Sequence, residues 1–302
     1  MATLYAYLSP APDILAQTGD PPVSFNVFQA IVIGIVQGLT EFLPISSTAH
    51  VKIVPVVLGW GDPGIAFTAV VQLGSIGSIL WYFRADVAQV LRGFRRAITS
   101  GDYDSGDFRL GLGIIVGTLP ILILGLLVKF GFREVYDTFA RSPLVIAITS
   151  IGLAILLGLA EVIGKRKRQF SDLGVGDGIG VGLAQALALV PGVSRSGSTI
   201  TAALFMGLNR TTAARFSLLL GIPAILISGL AEMGDIFDPS TVQLGWAPLI
   251  AGVLASVISS YVAIYWLIQF LKDHTTWVFV AYRIGFGVAI VWAIATQRLD
   301  NI

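Results

Sequence analysis

The sequence contains no cysteine and only two histidines, His50 and His274, among its 302 residues. The lack of cysteine excludes disulfides, thiolate catalysis and cysteine-bound zinc or iron–sulfur sites. Two histidines are too few for a multi-histidine metal site. Charged residues make up 12% of the chain, about half of their share in an ordinary soluble domain. This composition excludes a disordered protein, a coiled coil and a DNA-binding module, and the net charge of +1 gives no basis for polyanion binding.

Apolar residues are abundant: they form 55% of the chain, and its mean hydropathy is +0.83. A helix that crosses a bilayer needs about 20 apolar residues. Six stretches reach this length and end near charged residues, which predicts an all-α polytopic membrane protein with six transmembrane helices. The predicted spans are 65–83, 110–129, 143–163, 213–231, 247–271 and 278–296.

Two further apolar stretches, 26–59 and 179–208, are each interrupted by proline together with serine and threonine. Each half is too short to cross a bilayer alone, so each stretch is predicted to be a re-entrant helical hairpin. The two stretches also match in sequence: Gly34, Gln37, Leu39 and Pro44 correspond to Gly182, Gln185, Leu187 and Pro191. A hairpin followed by three spans occurs twice, and three is an odd number, so the second half is predicted to be an inverted repeat of the first.

The repeat divides the chain into four segments: an N-terminal extension (1–25), a first repeat (26–163), a cytoplasmic linker (164–178) and a second repeat (179–302). Lysine and arginine are enriched in cytoplasmic loops and thereby orient the spans. Most of the basic residues lie in the four loops 84–109, 164–178, 209–212 and 272–277, which are therefore predicted to be cytoplasmic. The basic run 165–168 is interpreted as a topology anchor or a contact with lipid headgroups.

Glu41 is the only acidic residue deep inside an apolar stretch, where an ionisable side chain is costly and its default interpretation is functional. Gln37 lies one helical turn before it, on the same face. His50 follows the break, and we expect the chain to turn it back towards Glu41. Ser47 and His50 are three residues apart, so they share a face if a helix begins at Ser46. A hydroxyl, an imidazole and a carboxylate around a phosphate site suit phosphoryl transfer.

The second break contributes Arg195 within a run of glycine, serine and threonine. Broken helices leave free N–H groups at their helix starts, and these groups bind anions together with the helix dipole. The planar guanidinium group suits phosphate oxygens. The predicted substrate-binding residues are Gln37, Ser46, Thr48, Ser194, Ser196, Ser198 and Thr199. The alternative is that these hydroxyls only cap helices, which would account for one serine in each break.

Both breaks resemble the signature segments of a known family, the bacterial undecaprenyl-diphosphate phosphatases of the bacitracin-resistance type. The segments are QGLTEFLPISSTAH (37–50) and PGVSRSGST (191–199), and the similarity extends over about residues 26–296, including VVQLGSI (70–76) and ARFSLLLGIPAI (214–225). The resemblance implies interlocked inverted repeats and a cavity open to the periplasmic side. It also implies that the functional positions are Glu41, Ser47, His50 and Arg195.

The same resemblance implies an enzyme of the bacterial inner membrane that hydrolyses undecaprenyl diphosphate to the monophosphate and recycles the lipid carrier of cell-wall synthesis. It also implies a divalent cation, Mg²⁺ or Ca²⁺, with Glu41 as the predicted ligand. Many members have glutamate where this chain has Gln37, which can act neither as a base nor as an anionic ligand. Two roles of Ser47 stay open: nucleophile, or partner of an attacking water, with His50 as the acid–base group.

The competing hypothesis is a transporter, either a lipid-phosphate flippase or an anion carrier, because inverted repeats with broken helices are common in transporters. The group formed by Glu41, Ser47 and His50 argues against a pure carrier, since binding alone does not need it. The expected partners are undecaprenyl diphosphate, other prenyl diphosphates and membrane lipid, without nucleic acid. The oligomeric state is open between a monomer and a homodimer.

Overall fold

A computed structural model describes residues 26–61, 64–132, 136, 142–236 and 245–299, so the predicted N-terminal extension lies outside the described residues. Within these ranges the regular structure is helical, apart from one isolated bridge between Arg168 and Leu208. The α-helices are α1 Val27–Phe42, α2 Ser47–Val57, α3 Gly64–Tyr82, α4 Arg84–Ser100, α5 Gly106–Gly131, α6 Pro143–Ile163, α7 Val175–Ala186, α8 Arg195–Phe205, α9 Arg210–Ile236, α10 Trp246–Asp273 and α11 Trp277–Ala295. Short 3₁₀ turns occur at Phe170–Asp172 and Leu187–Leu189.

Five of these helices are long and apolar enough to cross a membrane: α5, α6, α9, α10 and α11. They coincide with five of the six predicted spans, and the chain is therefore a multi-pass membrane protein. Helix α3 coincides with the remaining predicted span, 65–83, but its apolar part, Phe67–Tyr82, is shorter. Many large apolar side chains on the spans are exposed, as expected for surfaces that contact lipid.

The segment 84–109, predicted as a cytoplasmic loop, contains the 17-residue helix α4 and the start of α5. Gly93 of α4 lies against the backbone of Asp107 and Phe108 at the start of α5. Arg96 forms an ion pair with Asp107 across the same contact. The helix was not predicted because the sequence prediction relied on long, continuously apolar stretches, whereas α4 is amphipathic: Val87, Val90 and Phe94 recur at helical spacing among arginines.

The predicted linker, 164–178, is also partly structured, because it contains a 3₁₀ turn and α7 begins at Val175 rather than at residue 179. Arg168 donates to both carboxylate oxygens of Asp177, at 2.7 and 2.8 Å. Hydrogen bonding to Asp177 raises the pKa of Arg168. Arg166 pairs with Glu161 at 2.6 Å. Two of the four cations in the basic run therefore pair within the protein.

Small residues let helices from the two halves of the chain pack closely. Gly34 of α1 lies against the carbonyl of Gly252 in α10, and Gly182 of α7 lies in the same way against the carbonyl of Gly117 in α5. A Cβ atom at either glycine would collide with that backbone. Helix α1 thus packs on α10 and α7 packs on α5, so each interrupted stretch contacts the opposite half of the chain.

Candidate active site

Both interrupted stretches break where the sequence places proline. Helix α1 ends at Phe42, and Leu43 before Pro44 has an extended backbone (φ −69°, ψ 145°). Val190 before Pro191 is also extended (φ −82°, ψ 119°). Proline disfavours the helical conformation in the residue that precedes it, so each proline prevents its helix from continuing.

After each break, a new helix begins behind a serine with an unusual backbone. Ser46 has φ 75° and Ser194 has φ 71°, in the left-handed region that residues other than glycine rarely adopt. The first residues of the new helices are Ser47 in α2 and Arg195 in α8. Both residues line one cavity. Two helix N-termini, each with unsatisfied N–H groups and a positive dipole end, therefore meet at a place suited to an anion.

Glu41 stands between these two helix starts. Its Oε2 accepts a hydrogen bond from the Ser47 hydroxyl at 2.7 Å and another from Nε2 of Gln37 at 3.1 Å. Its Oε1 lies 3.4 Å from Nη2 of Arg195, and the side chains of Glu41 and Arg195 are 10% and 11% exposed. The structure thus brings together four of the residues that the sequence singled out, from both interrupted stretches.

Arg195 presents part of its guanidinium group without a protein partner. Nη2 faces Glu41, whereas the buried Nη1 has no hydrogen-bond partner in the part of the chain that the structure describes. A buried unsatisfied donor costs about 1–3 kcal/mol, so a ligand oxygen that reaches Nη1 would recover this cost. The group lies against Gly221 of α9, where a Cβ atom would occupy the position of Nη1.

The cavity at this site has a volume of about 720 Å³ and is lined by both polar and apolar residues. The polar lining residues at the breaks are Glu41, Ser46, Ser47, Thr48, Ser194 and Arg195. The apolar lining includes Ile121, Leu122, Leu126, Leu189, Val190 and Ile225. The lining also reaches Lys129 in the last turn of α5. The cavity therefore suits a molecule that has an anionic head and an apolar chain.

Four predicted substrate-binding residues bond to the protein instead of lining the cavity, and one of them is Gln37, which donates to Glu41. Ser196 donates to the carbonyl of Leu43 at 2.9 Å and so joins the two breaks. Ser198 and Thr199 both donate to the carbonyl of Arg195, at 3.0 and 2.7 Å. Only the bond from Ser196 satisfies a helix end, because Ser198 and Thr199 donate to a carbonyl within the first turn of α8. Direct contacts of these residues with substrate stay a prediction.

Both ring nitrogens of His50 contact groups other than Glu41 and Ser47, whereas the sequence led us to expect His50 to turn towards Glu41. Nδ1 of His50 lies 2.7 Å from the carbonyl of Ser46, and Nε2 lies 2.6 Å from the hydroxyl of Tyr282. The first turn of α2 directs the imidazole away from the cavity and towards α11. The partner of the Ser47 hydroxyl is the carboxylate of Glu41.

Glu41 is also the predicted metal ligand. Among the described residues, no three histidine, aspartate or glutamate side chains come together as a metal site. The neighbours of Glu41 are neutral or cationic side chains. One carboxylate fits a hard cation whose other ligands are phosphate oxygens and water, the arrangement that Mg²⁺ commonly adopts.

Comparison with known proteins identifies the family to which this site belongs. Residues 30–289 match the family described as bacitracin resistance protein BacA. The chain belongs to the BacA family. A relative from Trichormus variabilis, named undecaprenyl-diphosphatase, is 56% identical over 276 residues, which cover 91% of this chain and 86% of the relative. Proteins of the same name from Synechococcus elongatus and a Synechocystis strain are 56% and 54% identical, over 92% and 90% of this chain and 96% and 83% of the relatives.

The BacA-family site includes one structural residue whose role the sequence did not indicate. Arg283, in the middle of α11, is fully buried. Its guanidinium group donates to Pro44 O at 3.1 Å in the first break, and to Gly192 O at 2.9 Å and Val193 O at 3.1 Å in the second. A fourth bond, at 3.2 Å, goes to the carbonyl of Ser150. In the sequence, the only sign of its role is its position in an apolar span. Its partners are backbone carbonyls, which every residue has, so the residue types do not reveal them.

Proposed function

We propose that the chain is an undecaprenyl-diphosphatase, which hydrolyses undecaprenyl diphosphate to undecaprenyl phosphate and inorganic phosphate. The observation that carries this proposal is the Ser47 hydroxyl, which donates to Glu41 at 2.7 Å within the cavity that Arg195 also lines. Relatives that are more than 50% identical carry the name undecaprenyl-diphosphatase. The reaction recycles the lipid carrier of cell-wall synthesis.

Substrate binding uses both the polar and the apolar lining of the cavity. The guanidinium group of Arg195 and the N-termini of α2 and α8, which line the cavity, hold the diphosphate. The apolar wall contributed by α5 and α9 accommodates the first part of the prenyl chain. Nothing in such a wall selects one chain length, so other prenyl diphosphates are expected to be substrates as well.

Hydrolysis proceeds through Ser47. Its hydroxyl oxygen attacks the terminal phosphorus while Glu41 takes the proton, and the bond from that phosphorus to the bridging oxygen breaks. Undecaprenyl phosphate leaves, and Arg195 stabilises the negative charge on the transferred group. Water then attacks the phosphoserine, and Glu41 returns its proton to the departing Ser47 oxygen. Inorganic phosphate is released, and the site is restored.

A divalent cation, Mg²⁺ or Ca²⁺, is proposed to bind with Glu41 as its protein ligand and with oxygens of the diphosphate. The single carboxylate at the site supports this arrangement, because a cation held largely by substrate does not need a cage of acidic residues. When bound, it neutralises part of the charge of the diphosphate. Gln37 contributes a hydrogen bond to Glu41 rather than a second charge.

The same proposal includes the arrangement in the bacterial inner membrane. Helices α3, α5, α6, α9, α10 and α11 are the six spans, and the pairs α1–α2 and α7–α8 are re-entrant hairpins of two inverted repeats. The matched glycines Gly34 and Gly182, each packed on the other half, support this arrangement. The cavity reaches Lys129, at the end of α5 that the basic loops place outside, so the site opens to the periplasmic side.

Phosphate release from undecaprenyl diphosphate in detergent, with and without a chelator, tests the function. A carrier would bind the lipid without releasing phosphate, because detergent leaves no compartments between which to transport. We expect native protein to release phosphate and the chelator to suppress the release. Arg195→Ala should lower kcat/KM by about 10²–10³-fold, the effect typical of losing one donor to transition-state charge.

The nucleophile is tested separately with Ser47→Ala. We expect this variant to be inactive, and we expect acid quenching of native protein during turnover of terminally labelled substrate to trap phosphoserine at Ser47. Ser171→Ala and Arg92→Ala, which change exposed residues outside the cavity, serve as controls and should retain full activity. Substantial turnover by Ser47→Ala would exclude the covalent route and favour direct attack by water.

A further inference from the structure

The imidazole of His50 is held on both edges and on one face. A backbone carbonyl can only accept, so in the neutral ring Nδ1 carries the hydrogen that is donated to Ser46 O, 2.7 Å away. Nε2 then accepts from the hydroxyl of Tyr282, 2.6 Å away. The ring also stacks on Phe286, with 4.2 Å between ring centroids, and His50 is only 4% exposed. Neither nitrogen is left to receive a proton from another group.

The carbonyl that His50 holds belongs to the strained residue directly before Ser47. Ser46 has φ 75° and ψ 97°, and its own side chain makes no capping hydrogen bond to α2. Such a conformation persists only where surrounding groups fix it. In the second break, the strained serine caps its own helix: the side chain of Ser194 accepts from the backbone N–H of Gly197 at 3.1 Å. In the first break Ser46 makes no such cap, and the bond from His50 instead fixes the carbonyl of Ser46.

We propose that His50 and Tyr282 are positioning residues, which fix the Ser46 turn and thereby place the Ser47 hydroxyl on Glu41, and that His50 transfers no proton. Tyr282 orients the imidazole, the imidazole holds the Ser46 carbonyl, and this carbonyl sets the direction of the first turn of α2. The inference rests on the proposed function of Ser47. It differs from the acid–base role that was predicted for His50 from the sequence.

Replacing His50 by asparagine separates positioning from proton transfer. The amide nitrogen of asparagine can occupy the place of Nδ1 and donate to Ser46 O, but it cannot exchange a proton at neutral pH. We therefore expect His50→Asn to retain kcat within about tenfold of native, the effect of about one hydrogen bond. His50→Ala should lose much more. KM should change little in both variants, because His50 does not line the cavity described above.

The proposal would be overturned if His50→Asn and His50→Ala were equally inactive while both kept the native unfolding temperature in detergent. That result would assign proton transfer to the imidazole. Native protein that released no phosphate would instead refute the proposed function itself, so the two failures are distinguishable. If His50 transferred protons, its replacement would also change the pH profile of kcat. The positioning role predicts that His50→Asn keeps the native profile.

Tyr282→Phe supplies a second, independent measurement, because it removes one hydroxyl without changing the packing of the ring. We expect it to lower kcat by about tenfold in native protein. In the His50→Asn background it should have no further effect, since asparagine is too short to reach Tyr282, and coupled residues are not additive. Equal losses in both backgrounds would mean that Tyr282 does not act through His50, which would overturn its part of the proposal.

Discussion

Gly221 sets the position that the Arg195 guanidinium group can occupy, because a Cβ atom there would coincide with Nη1. Gly221→Ala should therefore push the guanidinium away from Glu41 and from the phosphate position. A displacement of about 1 Å costs on the order of 10²-fold in rate. We expect that loss in kcat/KM for undecaprenyl diphosphate, with little change in the unfolding temperature measured in detergent.

Gly229→Ala is the matched control, since it lies about two turns further along the same helix. A Cβ atom at Gly229 would meet the terminal methyl group of Ile76, which can rotate away. It should retain most of the activity, although both changes put alanine in place of glycine in α9. Similar losses in the two variants would mean that Gly221 acts through the helix itself and not through Arg195.

The sequence was sufficient to predict the contacts that follow from residue spacing within one helix. Gln37 and Glu41 are four residues apart in α1, so their hydrogen bond follows from the geometry of one helix. The meeting of Glu41 and Arg195 across the chain agrees with the anion site and the family resemblance. The direction of His50 and the closeness of Gly221 to Arg195 could not be predicted, because each depends on how separate helices pack.

At the scale of elements, α11 holds both breaks together through Arg283. The ammonium group of lysine has three donors for the four carbonyls that Arg283 contacts, so Arg283→Lys should leave at least one buried carbonyl unsatisfied. Each costs about 1–3 kcal/mol. We expect a lower unfolding temperature in detergent, together with reduced kcat, because Ser47 and Arg195 lose their common support.

Arg298→Lys controls for the chemical change, since Arg298 follows the same helix and is exposed. It should leave both the unfolding temperature and the activity unchanged. If Arg283→Lys were equally harmless, the four carbonyl bonds would contribute little to the relative positions of the two breaks.

Elements that are apolar over their whole length were predicted well, and amphipathic ones were not. Hydropathy found α5, α6, α9, α10 and α11, because a span must be apolar on every side that contacts lipid. Helix α4 was missed because only one of its faces is apolar, with Val87, Val90 and Phe94, and its other faces carry arginines. The break of each hairpin was predictable because serine and threonine follow Pro44 and Pro191; proline alone would not have sufficed, since Pro120 and Pro223 lie inside α5 and α9.

At the scale of the whole molecule, the proposed inversion of the two halves makes opposite predictions for two matched positions. Phe132 follows α5, the second span of the first half, and Thr275 follows α10, the second span of the second half. Inverted halves place Phe132 outside and Thr275 in the cytoplasm. The chain contains no cysteine, so Phe132→Cys and Thr275→Cys each introduce a single reactive thiol at an exposed position.

A membrane-impermeant maleimide applied to intact cells should label Phe132→Cys and leave Thr275→Cys unlabelled. Permeabilising the cells should then allow labelling of Thr275→Cys, which shows that its thiol is reactive and was protected only by the membrane. Labelling of both variants in intact cells, or of neither, would place the two ends on the same side and contradict the inverted repeat. Labelling of Thr275→Cys alone would keep the repeat but reverse its orientation, and the cavity that reaches Lys129 would then open to the cytoplasm.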